Sequence, residues 1–205
     1  MKMGILAGAA ALAVSGFASA SFTGMEVTSS VVEGKTVFQV FAQFDSASDV
    51  VLSVFGVAGI PAGGFFNADF AGGSWAPQFT QNAATDSFVT IGGVPGFANS
   101  TQADPEWGAP GFTQPGIPDG AGWFNSNPPN LQGKVDAVTL RTLVAQFSFE
   151  GGAAGITTFT SPITVSYNQG LGTPTVFGDS TFTVPAPGAI ALLGLAGLAG
   201  RRRRS

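Results

Sequence analysis

Residues 36–44 read TVFQVFAQF. As a strand, this run puts Phe38, Val40, Ala42 and Phe44 on one face and Gln39 and Gln43 on the other. The same rhythm returns at 25–32, 50–57, 87–91, 138–149, 156–167 and 180–184, each run bounded by Gly, Pro, Asn or Asp. None of these runs carries a helical period. Glu33, Gly34 and Lys35 between the first two predict a hairpin turn. Seven or eight short strands with glycine-rich turns predict an all-β chain, an antiparallel β-sandwich of jelly-roll or immunoglobulin-like kind.

Composition narrows the chemistry. The 205 residues include neither cysteine nor histidine. That removes the usual general base near neutral pH, the commonest transition-metal ligands and any disulfide. Of the eight basic residues, Lys2 and Arg201–Arg204 sit at the ends. Between them Lys35, Lys134 and Arg141 face all twelve acids, a balance of −9. Such a domain repels nucleic acid.

Both ends carry targeting features. Lys2 precedes an apolar stretch, Gly4 to Phe17, and Ala18-Ser19-Ala20 is the small-x-small pattern of signal peptidase. Residues 1–20 therefore read as a signal helix, with cleavage after Ala20 and a mature chain that begins at Ser21. At the other end, Ala189 to Gly200 is free of charge and would reach about 18 Å as a helix, or about 25 Å counted from Val184. Against a hydrocarbon core of about 30 Å this is a marginal transmembrane helix. Arg201, Arg202, Arg203 and Arg204 follow it and favour the cytoplasmic side.

This ending, Val184-Pro185-Ala186-Pro187-Gly188, a short apolar stretch and an arginine cluster, resembles the PEP-CTERM sorting signal, with alanine where the family motif has glutamate. The resemblance implies recognition by an exosortase, a membrane-embedded transpeptidase-like enzyme, transient membrane anchoring, and delivery to the cell surface or extracellular matrix. Residues 42–57, 86–92 and 122–130 are also similar to a secreted β-protein type found with such tails in planctomycete bacteria, a type with no assigned activity. The expected organisation is a signal peptide at 1–20, a β-domain at 21–183 and a sorting segment at 184–205.

Residues 95–133 break the strand rhythm, crowded with Pro, Gly and Asn, and read as a long loop. The loop holds Trp107 and Trp123. The favoured reading packs Trp123 and Phe124 over the open end of the sandwich. The other makes Trp107 and Trp123, with Asn125, Asn127 and Asp119, a stacking platform for an extracellular polysaccharide. Asp104 and Glu106 are the one tempting pair for acid–base work, but two residues on one proline loop do not make the facing carboxylates of a glycosidase, and no enzyme is expected. No cofactor is expected either. A structural calcium ion is the one ligand that oxygen donors alone could hold, with Asp45, Asp49, Asp69, Asp86 and Asp179 near strand ends. The Asn99-Ser100-Thr101 triplet is too common by chance to mark glycosylation.

The reading as a whole is a secreted, surface-sorted structural or adhesive protein of an extracellular layer. Its alternative is a carbohydrate-binding module. Exposed tryptophans would favour sugar binding and buried ones a scaffold.

Overall fold

The structure, a computed structural model, describes residues 22–60, 64–68, 74–150 and 158–185. The expected signal helix and the transmembrane stretch after Pro185 lie outside the described residues. Among the described residues no helix is long and apolar enough to cross a membrane. The chain is all-β, with two antiparallel sheets. The strands are β1 (Phe22–Val32), β2 (Lys35–Phe44), β3 (Val50–Phe55), β4 (Phe88–Val89), β5 (Thr101–Ala103), β6 (Trp123–Asn125), β7 (Arg141–Phe149), β8 (Phe159–Asn168) and β9 (Val176–Val184). One sheet has the order β1-β2-β7-β4 and the other β5-β6-β3-β8-β9.

The β1–β2 hairpin closes through Glu33 and Gly34, at φ 49° and 76°. Two consecutive positive φ values make the tight turn whose twist matches the strands it joins, and glycine tolerates the second without strain. In β2 the alternation holds: Phe38, Val40, Ala42 and Phe44 are buried, and Gln39 and Gln43 lie on the half-buried outer side.

Register shifts occur in β1, between Phe22 and Gly24, and in β7 and β3, where they set which residues enter the core. Opposite Val40 and Phe41 of β2, β7 presents Ala145 and Leu143 and leaves Val144 unpaired. An extra residue reverses the parity of the strand. Val144 therefore joins Ala145, Phe147 and Phe149 in the core. In β3 the shift falls between Val51 and Ser53, and Val51 and Val54 both face inward.

The core between the sheets is rich in phenylalanine. Phe147 of β7 stacks on Phe182 of β9 at 6.2 Å and meets Phe159 of β8 edge-on at 5.3 Å. Phe44 meets Tyr167 at 5.2 Å at another point of the core. Edge-to-face and offset pairs of this kind add to the burial of the rings themselves. Val184, counted above with the sorting motif, is the last residue of β9; it pairs with Phe159 and is fully buried. It belongs to the domain, because its side chain completes the apolar face of β9.

The span 95–133 is not the single loop expected. It contributes β5 and β6 to the second sheet, with β6 paired to β3. Strands of three residues show no alternation long enough to recognise. Two of its glycines are steric requirements: a Cβ at Gly133 would collide with the Val51 carbonyl oxygen, and one at Gly122 with that of Val54. Both lie against the β3 backbone, and the Gly133 carbonyl accepts from the Val51 N–H at 2.9 Å. Gly133→Ala is expected to cost about 1–3 kcal/mol, the usual range for forced overpacking. Thermal unfolding of the variant checks this, and a wild-type midpoint would contradict the close approach.

Candidate functional site

The two loop tryptophans are inside the protein. Trp107 ends a 3-10 turn, Pro105–Trp107, and Trp123 opens β6. Each is 1 % exposed. The Trp107 indole N–H donates to the Gly122 carbonyl at 2.6 Å and that of Trp123 to the Thr90 carbonyl at 3.0 Å. Trp75, the third, donates to the Gln114 carbonyl at 3.0 Å. A buried indole with its N–H spent on main chain has no face left for a sugar ring.

Asn125 is buried as well, accepting from the Asn127 N–H at 3.0 Å and donating to Asn130 Oδ1 at 2.9 Å. The stacking platform of Trp107, Trp123 and Asn125 is therefore corrected: hydrogen bonding and packing draw all three inward. Phe124, expected to pack with Trp123, turns outward instead, because neighbours on a strand face opposite sides.

The acidic residues divide by the work they do. Asp104 caps the turn that carries Glu106, accepting its N–H at 3.1 Å; the two share one turn and do not face each other across a cleft. Asp119 accepts from the Gly59 N–H at 3.0 Å. Asp136 is held below the usual carboxylate range by the Thr139 N–H, then the Thr139 hydroxyl and the Val138 N–H. Asp86 is fully buried and accepts from the N–H groups of Ala68, Gln81 and Asn82 at 2.8–2.9 Å. Such a set compensates a buried charge. Asp179 accepts from the Thr164 hydroxyl at 2.7 Å, and Asp69 lies outside the described residues. Among the described residues no three acidic groups gather as a metal cluster.

Asp49 differs from all of these. It is fully buried, and neither carboxylate oxygen has a hydrogen-bond partner. Burial, and then the neighbouring Asp45 carboxylate, push its pKa up to about 6.

Asn99 of the Asn-Ser-Thr triplet is also buried. It donates to Thr90 Oγ1 at 3.0 Å and accepts from the Thr101 N–H at 3.0 Å. Its amide is therefore part of the interior.

An exposed aromatic surface lies on the outer face of the second sheet. Strand pairing sets Gln102, Phe124, Ser53, Ser166 and Phe177 in one row across all five strands. Phe55, Thr164 and Asp179 form the adjacent row. Phe177 is 63 % exposed, and Phe55 and Phe124 are 36 % exposed. Phe55 and Phe177 meet edge-on at 6.2 Å. Ser53 and Ser166 share a hydroxyl hydrogen bond at 2.6 Å between them. The result is an aromatic surface, with the half-buried Ser53 and buried Ser166 hydroxyls in the same row and one acid in the adjacent row. Sequence reasoning missed these phenylalanines. The signal available was the alternation in 176–184, which sets Phe177 opposite in face to the inward Phe182 and Val184. A shallow groove of about 370 Å³ elsewhere is lined by Ile60, Trp107, Gln114, Pro115, Ile117 and Pro118 and offers no ionisable group.

No known family model, curated protein or solved structure matches this chain. What the fold and its surface define is a β-domain whose buried polar groups are largely paired, with Asp49 the exception among the described residues, and with an aromatic surface on the outer face of its second sheet. Trp123→Ala is expected to cost about 3–5 kcal/mol, read from denaturant unfolding. A loss below about 1 kcal/mol would contradict its place in the core.

Proposed function

We propose that this is a secreted protein, sorted to the cell surface by an exosortase, with a structural or adhesive role in an extracellular layer. The observation that carries the reading is that β9 closes at Val184, one residue before Pro185 of the sorting motif. All nine described strands lie between the two expected cuts, so neither cut would remove one of them. The chain changes sheet between β2 and β3, β3 and β4, β4 and β5, β6 and β7, and β7 and β8, and these repeated crossings favour a jelly-roll or immunoglobulin-like sandwich as its finer type.

The adhesive part of the reading rests on the outer face of Phe55, Phe124 and Phe177. A group of exposed aromatic rings on one face of an exported domain serves contact with a polymer or a neighbouring surface. The alternative, a carbohydrate-binding module for extracellular polysaccharide, is favoured by the same face, since exposed aromatic rings on a sheet suit a sugar chain. The balance of −9 speaks against acidic polymers and for neutral ones.

Protein recovered from the surface of a host that has an exosortase is expected to begin at Ser21 and to lack Arg201–Arg204, by intact mass. A mass that includes the arginines would leave a simple membrane anchor and overturn sorting.

A double variant, Phe124→Ser with Phe177→Ser, is expected to lose retention on host extracellular polymer while its unfolding midpoint changes by only a few degrees. Unchanged retention would remove this face from the adhesive role. Purified host polysaccharide in the same assay separates the sugar-binding alternative from protein contact.

A further inference from the structure

We propose that Asp45 and Asp49 hold a calcium ion at the connection between β2 and β3. The connection is five residues long, Asp45-Ser46-Ala47-Ser48-Asp49, and carries the chain from one sheet to the other. Asp49 closes it immediately before β3. Its main chain is fully engaged, with the N–H donating to the Ser46 carbonyl and the carbonyl accepting from Val135 at 2.9 Å. Its side chain is the opposite case: no water-accessible surface and no donor on either oxygen.

A buried carboxylate is costly unless something positive or a set of N–H donors compensates it. The protein shows the compensated form at Asp86, with three N–H donors on one carboxylate. Nothing comparable reaches Asp49. Lys134 stands opposite Val50 in an isolated bridge, but it is exposed and makes no bond to Asp49. The charged group that does act on Asp49 is Asp45, of the same sign, and its repulsion adds to the effect of burial. Two carboxylates near each other, one stripped of every donor, call for a cation.

The chemistry selects the ion. With no histidine or cysteine in the chain, the donors are oxygens only, which excludes soft and borderline metals. Magnesium keeps most of its water and demands a regular octahedron. Calcium sheds water readily and accepts six to eight oxygens in irregular geometry, with carboxylates, main-chain carbonyls and water together. An enclosed carboxylate in a short connection suits the second. The site does not depend on the proposed export. Only its expected affinity does, since extracellular modules bind calcium with dissociation constants of about 10⁻⁴–10⁻³ M.

The test is thermal unfolding of the purified full protein at about pH 7.5, treated with chelator and then titrated with calcium chloride. The expected result is a midpoint that climbs by several degrees as calcium passes through about 1 mM, as binding to the folded state alone requires. Calorimetry should give one site per chain, and magnesium at equal concentration should give a much smaller rise. Asp49→Asn and Asp45→Asn should each remove the calcium response, while Asp179→Asn, on the outer sheet face, should keep it. A midpoint indifferent to calcium would overturn the proposal. So would a response that survives in Asp49→Asn. A calcium-indifferent protein that gains stability in chelator on acidification from about pH 7 to 5, with that gain lost in Asp49→Asn, would show that a proton neutralises Asp49 instead.

Discussion

β3 is the strand on which the second sheet depends. It is six residues long, yet it pairs with β8 along one edge and β6 along the other. Beside those ladders, Gly122 and Gly133 press main chain against the β3 carbonyls at distances no side chain would permit. The Val51 N–H, which might otherwise be orphaned at the bulge, finds the Gly133 carbonyl. Buried main-chain groups must be paired somewhere. Here the pairing is supplied by a segment rich in Pro and Gly that would pass for disordered linker by composition alone.

That segment is pinned by its aromatic rings. The indole bonds of Trp75, Trp107 and Trp123 end on Gln114, Gly122 and Thr90. Each bond ties together two stretches of chain distant in sequence. A chain without cysteine has no covalent staple, so burial of large rings with satisfied N–H groups takes that place. Polar side chains complete the interior. Gln132 Nε2 donates to the Ile91 carbonyl, Asn99 Oδ1 and Thr101 Oγ1, while its Oε1 accepts from the Ser100 N–H. Gln146, buried in β7, donates to the Asp86 carbonyl and accepts from Gln39. Networks satisfied to this degree rigidify an interior, and they make the unpartnered Asp49 stand out against them.

The two faces of the second sheet divide the labour. Its inner face buries Val54, Trp123, Val165 and Phe182. Its outer face leaves Phe55, Phe124 and Phe177 in solvent beside serine and threonine. Phenylalanine exposed to solvent has a cost in solubility, which the negative balance of the domain offsets. In the proposed setting, a domain that is anchored for a time and then released into a layer, such a face gives adhesion without any enclosed pocket.

Seven of the nine strands among the described residues were legible in the sequence because period-2 alternation over five or more residues has no competing explanation, as in Phe38, Val40, Ala42 and Phe44. The Glu33-Gly34 turn was legible from glycine alone. β5 and β6 were not, since three residues such as Trp123-Phe124-Asn125 carry no period, and only pairing with β3 makes them strands. The bulge at Val144 was hidden for a related reason: an inserted residue reverses every later facing, and nothing local marks it. Of the candidate site residues, Trp123 was read as packing, but its partner and the buried state of Trp107 and Asn125 could not be read, because they depend on groups as far apart as Trp123 and Thr90, 33 positions. The sequence by itself determined the β class, the turn chemistry and the oxygen-only donor set, all set by local sterics and composition. Which ring faces solvent, which acid is compensated and which is left bare were decided by the tertiary structure alone, since each depends on groups that meet only when the two sheets close.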